Sequence, residues 1–415
     1  MVFEKSRNRP LLPLTALTIG TALVLSGCSS DDASSSTNNA TPAEQTTTSS
    51  EEEVFTPLVA SVLADPLPVP ATDGLTHIVY ELFLTNTIGQ PITINALSVL
   101  GDDEEMMRLT GEQLLPWIRV MGAPEPGTAL APGQSATVIL DATVPAQEQI
   151  PSTLSHVVDF SPEAAMPPMV TDRMEQTIAS VAVSDAAPIV ISSPVSGDGW
   201  LDGNGCCVAS PHRSAINPVN GALHAPERFA IDFVQLDAES RIFDGPIDDL
   251  DSYEYYGAEI LAVGDGPIVS MKWDLPDEKP GAHPDGLELN EYGGNHVVQD
   301  IGDGRFAFYA HLQGANPEGL TVGQTMSRGD VLGYLGNSGN TDMPHLHFHV
   351  MDSPLPLASN GVPFVFGSFT LAGTVGDSDL TACMSEPQSC SVDASDASPM
   401  EKLMPLQQDV LDVSE

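Results

Sequence analysis

Residues 344–350 read Pro-His-Leu-His-Phe-His-Val. In an extended chain successive side chains point to opposite faces, so His345, His347 and His349 share one face while Leu346, Phe348 and Val350 share the other. The apolar face can enter a core and hold the strand rigid while the other presents imidazoles to a cleft. Imidazole is a common zinc ligand and a general base near neutral pH. A lone histidine usually has a structural explanation, but three on one face, after the glycine-rich residues 329–339, point to chemistry. A second feature lies upstream, where residues 229–233 read Phe-Ala-Ile-Asp-Phe, a strand with one acid among apolar neighbours. A buried carboxylate is costly unless it is paired or binds a metal, which makes Asp232 a candidate ligand.

Four blocks together resemble the lysostaphin/LytM-type zinc metallopeptidases that cut peptide bonds in bacterial cell walls. They are residues 229–233, residues 295–298 (Asn-His-Val-Val), residues 309–312 (Tyr-Ala-His-Leu), and Gly-Asn-Ser-Gly at 336–339 continuing to His-Leu-His-Phe at 345–348. They follow the family's order and cover under a third of the chain. The resemblance implies that Asp232 and His347 are zinc ligands, and that His311 and His345 are unligated histidines facing the reacting carbonyl and the attacking water. Two histidines and one aspartate would leave zinc's fourth position for water. Zinc lowers the pKa of such a water from 15.7 to about 7, and an imidazole beside it can take the proton and pass it to the leaving amine. A second imidazole can stabilise the oxyanion.

One position departs from the pattern. The family normally has a histidine four residues before the aspartate, where this chain has Arg228. Another histidine must then supply the third ligand, and His212 and His224 both lie upstream. A branch of the family with an Arg-Phe-Ala-Ile-Asp block uses a more distant histidine followed by arginine, which matches His212, so His212 is expected ahead of His224. At position 349 the family often has Glu; His349 is expected to be exposed, the alternative being a hydrogen-bond partner behind the site. His283 falls in a loop that could rim the cleft, and His296 reads as a structural strand residue.

The elements that must hold these residues read as β throughout. Residues 191–375 contain short apolar runs with connections too short for crossover helices, which implies antiparallel pairing. Residues 257–269 read as two strands around a tight turn, and residues 202–207 (Asp-Gly-Asn-Gly-Cys-Cys) as a loop. Upstream, residues 56–187 alternate in short runs, with Ile78, Tyr80, Leu82 and Leu84 on one strand face, a spacing that suggests an immunoglobulin-like β-sandwich. Residues 106–115 have loosely helical spacing, weakened by Gly111. His77 and His156 in this half read as structural, and the sandwich as a spacer or a module for a protein partner. The fold expected is therefore all-β: a sandwich followed by an antiparallel peptidase domain, with residues 376–415 as an acidic tail carrying a faint helical period at 400–413.

Composition bounds destination and partners. With 14 Lys and Arg against 57 Asp and Glu, the net charge is −43, which repels nucleic acid and anionic lipid headgroups. Residues 1–27 read as an export signal, basic and then apolar. Leu25-Ser26-Gly27-Cys28 resembles the lipobox of bacterial lipoproteins, in which Cys28 is acylated and anchors the chain in a membrane. Ser29 after it implies, by that resemblance, the outer membrane of a Gram-negative cell, facing the periplasm. Residues 28–55 are polar and read as a disordered tether. Four cysteines remain, an even number that suggests disulfides in an exported chain. Cys383 with Cys390 is the simplest pair, and one of the adjacent Cys206 and Cys207 is expected to reach one of them, with the connectivity open. The function expected is a zinc endopeptidase acting on peptidoglycan peptides. The alternatives are a non-catalytic relative that activates cell-wall amidases and a peptidase acting on other exported proteins.

Overall fold

The computed structural model of the chain describes residues 53–282, 284–316 and 319–414. The leader, Cys28, residues 28–52 of the tether and His283 lie outside the described residues. Among those described, no helix is long and apolar enough to cross a membrane.

The N-terminal half is built from alternation. Strand β1 (Leu75–Asn86) pairs antiparallel with β2 (Ser135–Pro145) in unbroken register from Leu75 opposite Pro145 to Thr85 opposite Ser135. Its inward residues Ile78, Tyr80, Leu82 and Leu84 are fully buried. They pack on Leu97, Val99, Val158 and Phe160 of a second antiparallel sheet, so two five-stranded sheets share one core. Residues 106–115 are not helical: Glu104–Thr110 is a strand paired with Ile92–Gly101, followed by a single 3-10 turn. Cross-strand pairing overrides the local helical spacing here, and Gly111 at φ 53° turns the chain out of the strand.

The C-terminal half is built on a twelve-stranded sheet, with two small two-stranded sheets beside it. Its main elements in chain order are β3 (Gly197–Gly203), α1 (Pro211–Ser214), β4 (Ile231–Gln235), β5 (Gly266–Lys272), β6 (Asn295–Asp300), β7 (Phe306–Leu312), β8 (Leu346–Met351), β9 (Phe364–Val375), α2 (Asp377–Ser385) and β10 (Asp409–Val413). Along the sheet they run β9, β10, β3, β4, β8, β7, β6, β5, and each neighbouring pair is antiparallel. The edge strand Ile189–Ile191 pairs parallel with β9, against the expectation of antiparallel pairing only. Glu259–Leu261 and β5 do not form a hairpin: the first pairs with Val331–Tyr334 and the second with β6. Residues 376–415 are not a detached tail, because β10 lies between β9 and β3 with Val410 and Leu411 buried. The expected helical period at 400–413 is interrupted by Pro405, and the chain forms the strand Ser398–Leu403 before β10.

Alternation in β8 sets the core. Leu346, Phe348 and Val350 are fully buried, and the Phe348 ring lies 5.3 Å from Tyr309 and 5.4 Å from Phe364. Each such aromatic stabilises the fold by about 1.5–3 kcal/mol through its burial alone. Both disulfides differ from or narrow the expectation: Cys206 bridges its neighbour Cys207, and Cys383 bridges Cys390. The Cys206–Cys207 loop is fixed by contacts to its backbone, Arg213 Nη1 donating to the Cys207 carbonyl and Gln407 N to the Cys206 carbonyl.

Candidate metal centre

The register of three strands assembles the site. Asp232 on β4 lies opposite His347 on β8, and His347 lies opposite Ala310 on β7, one residue before His311. Asp232 Oδ1 is 2.9 Å from His347 Nδ1, and its Oδ2 is 3.2 Å from His212 Nε2. His345, just before β8, brings Nε2 to 3.4 Å from Asp232 Oδ1. Asn204, which the sequence reading passed over as part of a turn, donates from Nδ2 to Asp232 Oδ2 at 2.8 Å. His224 sits on a short hairpin (Asn217–Val219 with Ala222–His224) and joins no candidate metal group among the described residues.

Backbone carbonyls fix which nitrogen each ring presents. A carbonyl can only accept, so the imidazole nitrogen facing it carries the proton. His212 Nδ1 donates to the Ala230 carbonyl at 3.2 Å, His311 Nδ1 to the Ser338 carbonyl at 2.7 Å, and His345 Nδ1 to the Met343 carbonyl at 2.8 Å. All three therefore turn Nε2 toward the others. His311 reaches its place from a left-handed backbone, φ 61°, which is uncommon for a residue with a side chain. The glycine-rich turn is what supports it. A Cβ on Gly339 (φ 81°) would come within 2.3 Å of Gly294 N, so only glycine lets the turn lie this close to the start of β6. That contact places Ser338, whose hydroxyl donates to the Leu312 carbonyl and accepts from Asn295 N, while its carbonyl takes the His311 proton.

His349 is buried at 1% exposure, not exposed as expected. Period-two alternation puts it beside His347 on a face that the cleft wall covers, and its Nδ1 lies 3.0 Å from His347 Nε2. Its own Nε2 has no hydrogen-bond partner among the described residues. His296 lines the cleft with Nδ1 on the Gly294 carbonyl, a strand residue as read.

Charge in this cluster is strongly displaced. Burial raises the Asp232 carboxyl, but His212 and His345 overcome that and hold it well below its usual range. Burial pulls His212 down, yet Asp232 lifts it to about 9, and Asp232 raises His345 in the same way. His311 is held well below its ordinary value by burial and by the adjacent His345 and His347, as is His349 by burial and by His347 and His212. The donor set suits a divalent cation. The ligand atoms of His212, Asp232 and His347 lie within 4.8 Å of one another. Tetrahedral zinc with bonds of about 2.0–2.1 Å separates its ligands by roughly 3.3 Å, close to the spacings seen here. With Nδ1 held on a carbonyl, His212 turns Nε2 to Asp232 Oδ2, and a cation between them would take the place of the Nε2 proton. His311, His345 and His347 form a second convergent group. The cleft around them has a volume of about 820 Å³, and its lining includes Glu227 and Asp342 but no Lys or Arg among the described residues.

The cleft of this largely β body brings His212, His311, His345 and His347 together around Asp232, a donor set of metal-binding type. Residues 249–360 match peptidase family M23, and the chain carries a domain of that family. The match contains His311, His345 and His347, while His212 and Asp232 lie upstream of it. The chain is 28% identical over 119 residues to the glycyl-glycine endopeptidase ALE-1 of Staphylococcus capitis, an alignment covering 28% of each protein, so it spans little more than a quarter of that relative's length. Solved structures similar to it include the catalytic domain of lysostaphin from Staphylococcus simulans (22% identity, TM-score 0.20, covering 37% of this chain and 78% of that one). Another is a zinc containing peptidase from Vibrio cholerae (14% identity, TM-score 0.20, covering 66% and 77%).

Proposed function

We propose that the protein is a zinc endopeptidase that hydrolyses peptide cross-links of bacterial peptidoglycan. The observation that carries this reading is the convergence of Asp232 with His212 and His347, with His311 and His345 turning two more imidazole nitrogens toward the same space. His212, Asp232 and His347 would hold the metal. Bound there, zinc would supply Lewis acidity toward a peptide carbonyl and would acidify a water. The chain's own residues do the remainder. His311 and His345, their Nδ1 protons fixed on carbonyls, present Nε2 to the substrate. One takes a proton from the attacking water as the C–O bond forms, and that proton goes to the amine as the C–N bond breaks. The other donates toward the carbonyl oxygen as charge develops on it.

The name of the Staphylococcus capitis relative, a glycyl-glycine endopeptidase, is in keeping with an endopeptidase. Residues 1–28 place the activity, in this reading, on an outer-membrane lipoprotein anchored through Cys28 and facing the periplasm. The test is metal content together with digestion of muropeptides by the native chain and by His347→Ala. The native chain should carry one zinc and cleave, and the variant should lose both, with metal affinity falling by more than about 100-fold, the upper end of what changes behind a metal ligand cost. Equal activity in the two removes the metallopeptidase reading. A native chain that holds zinc but leaves muropeptides intact favours the amidase-activating alternative.

A further inference from the structure

Glu81, in the middle of β1, is a carboxylate at 0% exposure on the strand face opposite Ile78, Tyr80, Leu82 and Leu84, turned away from the sandwich core. Its cationic neighbours both come from the other half of the chain. Arg228 Nη1 donates to Glu81 Oε2 at 3.0 Å, and Arg213 Nη2 stands 4.0 Å from Oε1. Both arginines are themselves buried, at 2% and 1% exposure. Arg213 also donates to the Leu140 carbonyl of β2 and to the Cys207 carbonyl, and Arg228 to the Gly361 carbonyl. Charges this deep are costly unless paired: Arg228 is hydrogen-bonded to Glu81, and Arg213 faces it as an ion pair only, with Glu81 Oε1 lacking a hydrogen-bond partner among the described residues.

What matters is where the arginines sit in the chain. Arg213 follows His212 within the single turn of α1. Arg228 begins the residues that run into β4 and Asp232, and it occupies the position where the resembling family has a metal-binding histidine. Each guanidinium is thus rooted beside the backbone that carries one of the proposed ligands. The reach of His212 Nε2 to Asp232 Oδ2 depends on how α1 lies against residues 228–232, and Glu81 is the carboxylate that the arginines of both segments face, Arg228 through a hydrogen bond and Arg213 as an ion pair. We infer that Glu81 is a positioning residue of the metal centre, so the sandwich supplies part of the site's support and is more than a spacer. This rests on the metal-site reading above. Metal sites are sensitive to such support, because displacements of about 0.5 Å in the supporting shell already degrade them.

The experiment uses the full chain and the metal alone. Zinc affinity is measured by chelator competition, and the visible spectrum of the cobalt-substituted protein is recorded, for the native chain, Glu81→Gln and Val138→Ala. The last removes bulk from the sandwich core and serves as a control for general loss of stability. Glu81→Gln should weaken zinc binding by about tenfold or more and shift the cobalt bands, while Val138→Ala does neither. A folded Glu81→Gln chain with native affinity and spectrum overturns the inference, as does an equal loss in Val138→Ala. Should Glu81→Gln not fold, Arg213→Met, which removes charge and keeps bulk, is read against the same two outcomes. A native chain that binds no zinc sinks the metal-site reading and this inference with it, whereas native binding unchanged in Glu81→Gln sinks this inference alone.

Discussion

Asp232 Oδ1 and His347 Nδ1 stand 2.9 Å apart on strands that pair directly at that position, although the residues are 115 apart in sequence. The same carboxylate meets His212 through its other oxygen. His212, not the hairpin residue His224, therefore completes a trio able to share one ion. His212→Ala should abolish stoichiometric zinc, and His224→Ala should keep it. Zinc counted by atomic absorption decides, and retention in the first with loss in the second would reverse the assignment.

His311 and His347 share the cleft but have different expected duties. The histidine-only group of His311, His345 and His347 is the competing ligand set. If His311 acts on protons, His311→Ala should keep its zinc and lose about 10²- to 10⁴-fold in muropeptide cleavage. Loss of zinc in that variant would put His311 among the ligands.

The His347–His349 contact gives a third expectation. When His347 donates its Nε2 proton to His349 Nδ1, its own Nδ1 lone pair points at Asp232 and the ion position. His349→Phe fills the space beside Phe308 but cannot accept that proton, so zinc affinity should fall by about 10- to 100-fold. His349→Gln keeps an acceptor and should lose much less. Native affinity in the phenylalanine variant would show that His349 merely fills space.

Much of this was legible because strand alternation is local information. The spacing of His345, His347 and His349 already put them on one face, and the single acid in residues 229–233 already marked Asp232. Alternation says which face a residue takes but not what covers that face, so His349 read as exposed although the cleft wall buries it. Long-range partners were less accessible. Nothing near Glu81 in sequence announces Arg213 and Arg228, and nothing in Asp-Gly-Asn-Gly separates Asn204, which touches Asp232, from an ordinary turn residue. The same limit explains residues 376–415. Their acidic composition reads as solvated, while β10 gains its place from pairing with β3 and β9, strands distant in the chain.

The remaining prediction concerns stability, away from the metal centre. His77 on β1 is buried, with Nδ1 2.9 Å from Asp141 and Nε2 3.2 Å from Asp73, and the disulfide-bonded Cys207 lies beside it. Burial alone would depress the ring, but Asp141 and Asp73 outweigh it and raise it from 6.5 to about 9. A group whose folded value is raised stabilises the fold fully below its unfolded value and ceases to do so above the folded one. This contribution should thus be complete below about pH 6.5 and lost by about pH 9, amounting to about 3 kcal/mol. Urea unfolding across that range should show the native chain weakening as pH rises. His77→Gln should start lower at pH 6 and show a correspondingly flatter slope. An identical pH slope in the two proteins would mean that His77 is not the titrating group.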